Sequence, residues 1–518
     1  MSRTGEPTLQ EDGGGWRELA IEAVVALAAM ALFLLLSTTI RINPLQRIGQ
    51  VSGLASLQLR FILVALPLLI AAIIAARLQR GFTTIVRITC AAFAGLASAF
   101  VAGGVMVALR NTPYCLNAHN GDTGLIGVWA NAFSNHDPGG YPPPFYPPAF
   151  PHILSWYKDL TDQPALYALK DLEIVITALV GPATYLCWRR LLRPLWALGI
   201  GVVAMLVLLE PYKPYEGITL VLLIPVLIQF AQALRTAEDR TIHQLAKAGV
   251  GYGLALGLLC LLYSGWFKWS APGFVISALW LVPWREGRWR AAVMLASIAV
   301  LVFAVVMWSY LAGIVGYGHA AGLASVAGIG KQIIRDDYVY FDVLVDPAYF
   351  AMWKTDLPGA VAAWPPAGEL GGISVYVLVL FAGFGAAIAW ARERTAVVVL
   401  ASIIAGAWVI RFWYAHKMYE TKLVQLYPRT SIELAYCFAL IAGFAVRAAV
   451  QRFASRETTV ARASSYAIGA LCALAFVLAT AGSAISDRYM PNTEVRGLGL
   501  LSYTSHDAFT KNVPPDPP

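Results

Sequence analysis

One acid stands near the start of a long polar stretch between two apolar runs, in Asn120-Gly121-Asp122-Thr123-Gly124. Leu125, Val128, Trp129 and Ala132 follow at helical spacing, which predicts a short amphipathic helix lying on a membrane surface with Asp122 at its N-terminus. An aspartate in that place either caps the helix or, where the loop re-enters the protein, acts as a general base. Downstream, Tyr141-Pro142-Pro143-Pro144-Phe145-Tyr146-Pro147-Pro148 is a stiff extended segment, because proline fixes φ and donates no backbone hydrogen bond. Its aromatic rings could stack on sugar faces or pack against a helix bundle as an interfacial belt. Asp137, in His136-Asp137-Pro138-Gly139, reads as a turn residue.

Cations gather elsewhere. In RFWYAHKMYETKLVQLYPRT, residues 411–430, a helix would place Arg411, Met418 and Lys422 on one face, with Pro428 ending it and Arg429 just beyond. With His416 and Lys417 this set suits a phosphate at headgroup depth, or plain interfacial anchoring. Two short turns add Lys213, within Glu210–Glu216, and Lys268, between Trp266 and Trp269. Charges this close to hydrocarbon are costly and often functional. Asp336, Asp337, Asp342 and Asp346 put four carboxylates in eleven residues, which could hold a divalent cation or simply form a solvated face. The six cysteines are scattered and match neither a disulfide framework nor a Cys/His metal site.

The elements that must position these groups are apolar. The 518 residues are 58% hydrophobic and 13% charged, about half the charge of a soluble domain, and mean hydropathy is +0.63. Runs of about 17–25 apolar residues recur, each long enough to cross a hydrocarbon core and therefore helical. The expectation is an all-α polytopic membrane protein of about thirteen transmembrane helices: 19–40, 58–76, 85–108, 169–188, 195–210, 217–234, 248–266, 271–283, 291–314, 372–391, 395–411, 430–449 and 464–485. No small-residue cleavage site follows the first run, so it reads as a retained helix. Residues 1–486 form one membrane domain, and 487–518 a short tail.

Arginines and lysines crowd alternate short connections, which places the N-terminus in the cytoplasm and the loops 110–168 and 315–371 outside. The basic segment 411–429 breaks that rule on the outer side, as a second demand on those positions would explain. A net charge of +8 follows from basic cytoplasmic turns and does not point to nucleic acid.

An acid in the first large outer loop, the FYPP segment, Glu210–Glu216, Tyr263–Pro272, Tyr338–Trp353 and Phe412–Arg429 together resemble the GT-C membrane glycosyltransferases, and more narrowly the galactan arabinofuranosyltransferases of actinobacterial cell walls. The resemblance implies a GT-C-like bundle at the plasma membrane with an extracytoplasmic site. It implies inverting transfer of an arabinofuranosyl residue from a polyprenyl-phosphate donor to a galactan-like polysaccharide acceptor. Asp122 fits the family's base. Lys213, Lys268, Arg411, His416, Lys417, Lys422 and Arg429 would hold the donor phosphate, and Tyr141, Phe145, Tyr146, Trp266, Asp337 and Asp342 would meet sugar or acceptor. No cofactor is certain, a divalent cation being the candidate. The family's sizeable C-terminal domain is missing from the sequence, which leaves the acceptor open, and the acidic loop follows the third span rather than the first, which implies two added N-terminal helices. A lipid-linked sugar transporter or flippase, a GT-C transferase of another sugar such as mannose, and a non-catalytic scaffold are the competing readings.

Overall fold

The computed structural model describes residues 15–78, 81–144, 146–284, 289–320, 383, 394–421, 427–454, 460–493 and 498–515. Every regular element among them is helical. In chain order these are α1 (Trp16–Thr38), α2 (Arg47–Leu78), α3 (Phe82–Ala108), α4 (Gly121–Ser134), α5 (Ala149–Thr161), α6 (Ala165–Arg189), the broken helix α7 (Pro194–Met205), α8 (Pro214–Arg235), α9 (Ile242–Leu262), α10 (Gly265–Leu281), α11 (Trp289–Val306), α12 (Trp308–Ala320), α13 (Arg394–Thr421), α14 (Tyr427–Ala454), α15 (Val460–Arg488) and α16 (Gly499–Thr510).

Among the described residues, eight helices are long and apolar enough to span a bilayer. They lie in α1, α2, α3, α8, α9, α11, α14 and α15, with α7 and the first part of α13 as shorter apolar helices. A polytopic helical membrane protein is therefore the architecture. The expected span 372–391 lies outside the described residues, apart from Gly383.

Several boundaries differ from expectation, among them the start of α2 at Arg47 and the end of α13 at Thr421. The expected span 291–314 divides at Met307 into α11 and α12. Within 195–210, residues Ala197–Val202 form a π-helix and Leu206–Leu208 a 3-10 turn, so this stretch is not one regular helix. The segment Ser264–Ser270, expected as a turn, is the start of α10. Pro428 does not end a helix but sits in the first turn of α14. Its missing N–H is one of the four that lack an intrahelical partner there, so proline is tolerated.

The chain organises around α3, whose residues from Thr89 onward are almost all buried. Alanine, glycine and serine dominate this helix, and small side chains let backbones approach closely where lipid supplies no hydrophobic drive between helices. A Cβ on Gly95 would lie 2.1 Å from the Ala26 carbonyl oxygen, and one on Gly181 would lie 2.2 Å from that of Ala94. Neither site admits a side chain, so α1 and α6 lie directly against α3. Between α3 and α6, Ser98 Oγ donates to Ala178 O at 2.6 Å and accepts from Gly181 N at 3.0 Å. Helices α2 and α15 complete the ring around α3. The outward residues of α1 and α2, such as Val24, Leu35, Leu59 and Leu63, are exposed aliphatics suited to lipid.

One end of this cluster is pinned by charge. Glu22 is fully buried and accepts from Arg189 Nε at 2.7 Å and from a terminal guanidinium nitrogen at 3.1 Å. Arg189 also donates to Leu192 O at 2.6 Å, and Arg87 lies 3.6 Å from Glu22 while pairing with Glu18. Removing one member of such a pair strands its partner charge in low dielectric. Arg189→Leu is expected to cost about 3–5 kcal/mol and to lower the melting temperature in detergent. Glu22→Leu combined with Arg189→Leu should recover most of the loss, because neither charge is then left alone.

Candidate functional site

The site is built at the end of α3 opposite the Glu22–Arg189 pair. Residues 109–120 leave α3 as a chain of turns, with Asn111, Asn117 and Ala118 at positive φ (69°, 69° and 46°). Non-glycine residues in the left-handed region persist when surrounding contacts over-determine them. Here α6 and α16 supply those contacts. From α6, Lys170 Nζ donates to Leu109 O at 3.2 Å and to Thr112 O at 2.5 Å, while Glu173 accepts from Leu116 N at 2.9 Å. From α16, the Leu501 carbonyl accepts from Asn117 N at 2.9 Å, Ser505 O from Thr112 Oγ1 at 3.1 Å, and His506 Nε2 meets Ala108 O at 2.9 Å. Tyr114 donates to Val513 O. The C-terminal segment is thus not a loose tail: it folds back and fastens the strap that leads to the acid.

The strap delivers Gly121, at φ +61°, to the start of α4. A Cβ there would meet Tyr212 Oη at 3.2 Å, so both conformation and space favour glycine. Asn120 occupies the cap position, and Asp122 sits in the first turn. The carboxylate of Asp122 is free of capping duty; it pairs with Lys213 Nζ. Lys213 immediately precedes α8, where Pro214 takes the first helical position and Glu216 follows in the first turn. Glu216 is buried, and its Oε1 lies 3.9 Å from Lys213 Nζ. One ammonium therefore stands between two carboxylates at the N-termini of two helices. The Lys213 side chain is 14% exposed and that of Asp122 47%, so the acid can meet a solute while the lysine is largely enclosed.

Aromatic rings wall this pair. Tyr146 and Tyr215 share a hydroxyl hydrogen bond of 3.1 Å, Phe150 stacks on Tyr215 at 4.3 Å, and Trp129 of α4 lies 4.4 Å from the Tyr146 ring. Burial raises the Tyr146 phenol to about 12, with the Tyr215 bond opposing and the nearby Glu216 and Asp122 charges adding to the rise. Tyr146 is therefore a neutral hydrogen-bonding group at physiological pH. Tyr212 Oη accepts from Asn117 Nδ2 at 3.3 Å, which ties the strap to the Lys213 turn.

Of the residues expected from sequence, Asp122, Lys213 and Tyr146 come together. Trp266 is only 2% exposed, and its indole N–H donates to Glu216 O at 2.8 Å. It braces the site from behind and does not face a sugar, a correction to its expected role. Tyr141 lies at the far end of α4, 4.6 Å from Phe133. Lys268 is exposed, one turn into α10, over the Trp269 ring at 5.5 Å. His416 is exposed on α13, which also carries Arg411 and Lys417, and Arg429 lies in the first turn of α14. Phe145, Asp337, Asp342 and Lys422 lie outside the described residues. Among the described residues no three His, Cys, Asp or Glu side chains group as metal ligands.

Sequence reasoning passed over Lys170, Glu173 and His506, and named Trp129 and Glu216 only as parts of a helix and a turn. Lys170 and Glu173 did leave a signal, being charges at the edge of an apolar run. His506 left none. No known protein-family model matches the chain, and no curated protein is similar to it.

His506 gives the strap a pH dependence. Burial lowers its imidazole below the ordinary 6.5, with the Ala108 bond opposing and Lys170 reinforcing the shift. A depressed folded value means that stability is fully present above about 6.5 and is lost as pH falls toward the folded value. The melting temperature should drop between pH 7.5 and 5, and His506→Gln, which keeps a donor toward Ala108, should flatten that slope.

Proposed function

We propose that this chain is a GT-C-type membrane glycosyltransferase. It transfers an arabinofuranosyl residue, with inversion, from a polyprenyl-phosphate donor to a galactan-like acceptor at the outer face of the plasma membrane. In this reading the bundle has about thirteen spans and a cytoplasmic N-terminus, and the α4 end faces outward. One observation carries the reading: a half-exposed carboxylate, Asp122, lies against a nearly enclosed ammonium, Lys213, contributed from 91 residues away and backed by Glu216 and Tyr146.

A sugar hydroxyl is a poor nucleophile, so a positioned carboxylate must take its proton as the oxygen attacks the anomeric carbon. The bond from that carbon to the phosphate oxygen breaks with its electron pair. The lipid phosphate leaves as an anion that needs positive charge rather than a proton. Lys213 stands beside Asp122, so a phosphate oxygen entering the site meets its positive charge while the ammonium stays near the acid. Asp122 then gives its acquired proton to water. Lys268, His416, Arg411, Lys417, Lys422 and Arg429 remain the candidates for the rest of the donor phosphate contact. The prenyl chain would lie among the exposed aliphatic faces of the bundle, which accounts for so large an apolar body around a small polar site.

The test uses purified protein, a radiolabelled polyprenyl-phosphate pentose and an oligogalactan. Asp122→Asn should lower transfer by about 10²–10⁴-fold with donor binding intact, and Lys213→Met should raise the donor KM more than it lowers kcat. Full activity in Asp122→Asn removes the carboxylate from the mechanism. Uptake of the lipid-linked sugar into vesicles without transfer would replace the reading with a transporter.

A further inference from the structure

Trp129 and Phe133 of α4 are seven and eleven residues beyond Asp122, close to two and three whole helical turns. All three therefore lie within about 20° of one stripe on the helix. Along it Asp122, Trp129 and Phe133 are partly exposed and the neighbouring Leu125 is exposed, while Ile126, one turn beyond Asp122 on the same side, is buried. Each aromatic on the stripe is joined by rings from the following segment. Tyr146 lies 4.4 Å from Trp129; Tyr141 lies 4.6 Å from Phe133, and His152 stacks on Phe133 at 3.7 Å. Phe133 is partly covered by its neighbours, and the more open ring surfaces of that station belong to Tyr141, 39% exposed, and to His152.

We infer that this face of α4 is a track for an extended, uncharged sugar chain, its reacting end at Asp122 and its following units on the Trp129–Tyr146 and Tyr141–His152 stations. The direction of the chain rests on the glycosyltransferase reading; the binding of a glycan does not. Three features select the occupant. At 1.5 Å rise per residue the stripe is about 16 Å long, the length of about three or four sugar units. Ring faces are electron-rich and attract the slightly positive C–H faces of sugars, while the Tyr141 hydroxyl and the His152 imidazole can hydrogen-bond ring hydroxyls. No charged residue occurs between Asp122 and the end of α4, which suits a neutral chain better than an anionic one. An aliphatic lipid tail finds a better surface on α5, where Ile153, Trp156 and Leu160 form a separate exposed stripe.

A ladder of neutral furanoside oligomers, one to six units long, tests the track with the full-length protein in nanodiscs. Saturation-transfer NMR reads binding, and transfer from the lipid-linked pentose reads use as acceptor. The acceptor KM should fall with length and level off near four units. Tyr141→Leu and His152→Ala should each raise KM for the four-unit acceptor by roughly three- to tenfold, and by less for a one-unit acceptor. Phe133→Leu, which keeps an apolar filler, should act in the same direction, and Tyr141→Phe should restore most of the Tyr141→Leu loss. Wild-type binding that Tyr141→Leu weakens, in a protein that transfers nothing, would sink the transferase reading and leave the track standing. The track is overturned if wild-type protein gives no saturation transfer to any oligomer, if acceptor KM is independent of length, or if the Tyr141 and His152 variants alter donor KM alone.

Discussion

The ion pair of Asp122 with Lys213 is the interaction on which the rest of the α4 end depends. It joins the first turn of α4 to the residue before α8, and Lys213 in turn reaches Glu216. The positive ends of two helix dipoles favour both carboxylates, since both sit in first turns. An ion pair this close to apolar surroundings is only as good as its geometry, because desolvation opposes it. The surrounding structure is arranged to fix that geometry.

Three elements do so. The strap 109–120 sets where α4 begins, and it is held by α6 through Lys170 and Glu173 and by α16 through Leu501, Ser505 and His506. The other half of the pair is set by the head of α8, where Trp266 donates to Glu216 O and Phe150 stacks on Tyr215. The aromatic wall then keeps water off Lys213 while leaving Asp122 open on one side. A polar site thus forms on an apolar bundle: short helices and turns between α3 and α6, and the turn before α8, supply the groups, and buried backbone hydrogen bonds hold them.

At the opposite end of α3 the logic is different. Glu22 and Arg189 are both buried and satisfy one another, and the half-exposed Glu18 pairs with Arg87 at the rim of this cluster. That pair fixes α1 against α6. The contrast between an enclosed ion pair and one with an open carboxylate separates a fastening from a site able to meet a substrate, although both use one acid and one base.

Much of the architecture was legible in the sequence, because spanning a membrane is a constraint on local composition: runs of apolar residues must be helices wherever they pack. The identity of Asp122 and Lys213 as charges at the edges of such runs was legible for the same reason. Helix interruptions were harder to read. The π-helical stretch at Ala197–Val202, the division at Met307 and the placement of Pro428 depend on neighbours that hydropathy does not register. Only the tertiary structure decided that Asp122 meets Lys213, that Trp266 faces inward, and that the last helix clamps the strap through His506. Those facts rest on which helices lie side by side, and contacts between residues 91 or 398 positions apart leave no trace in local periodicity.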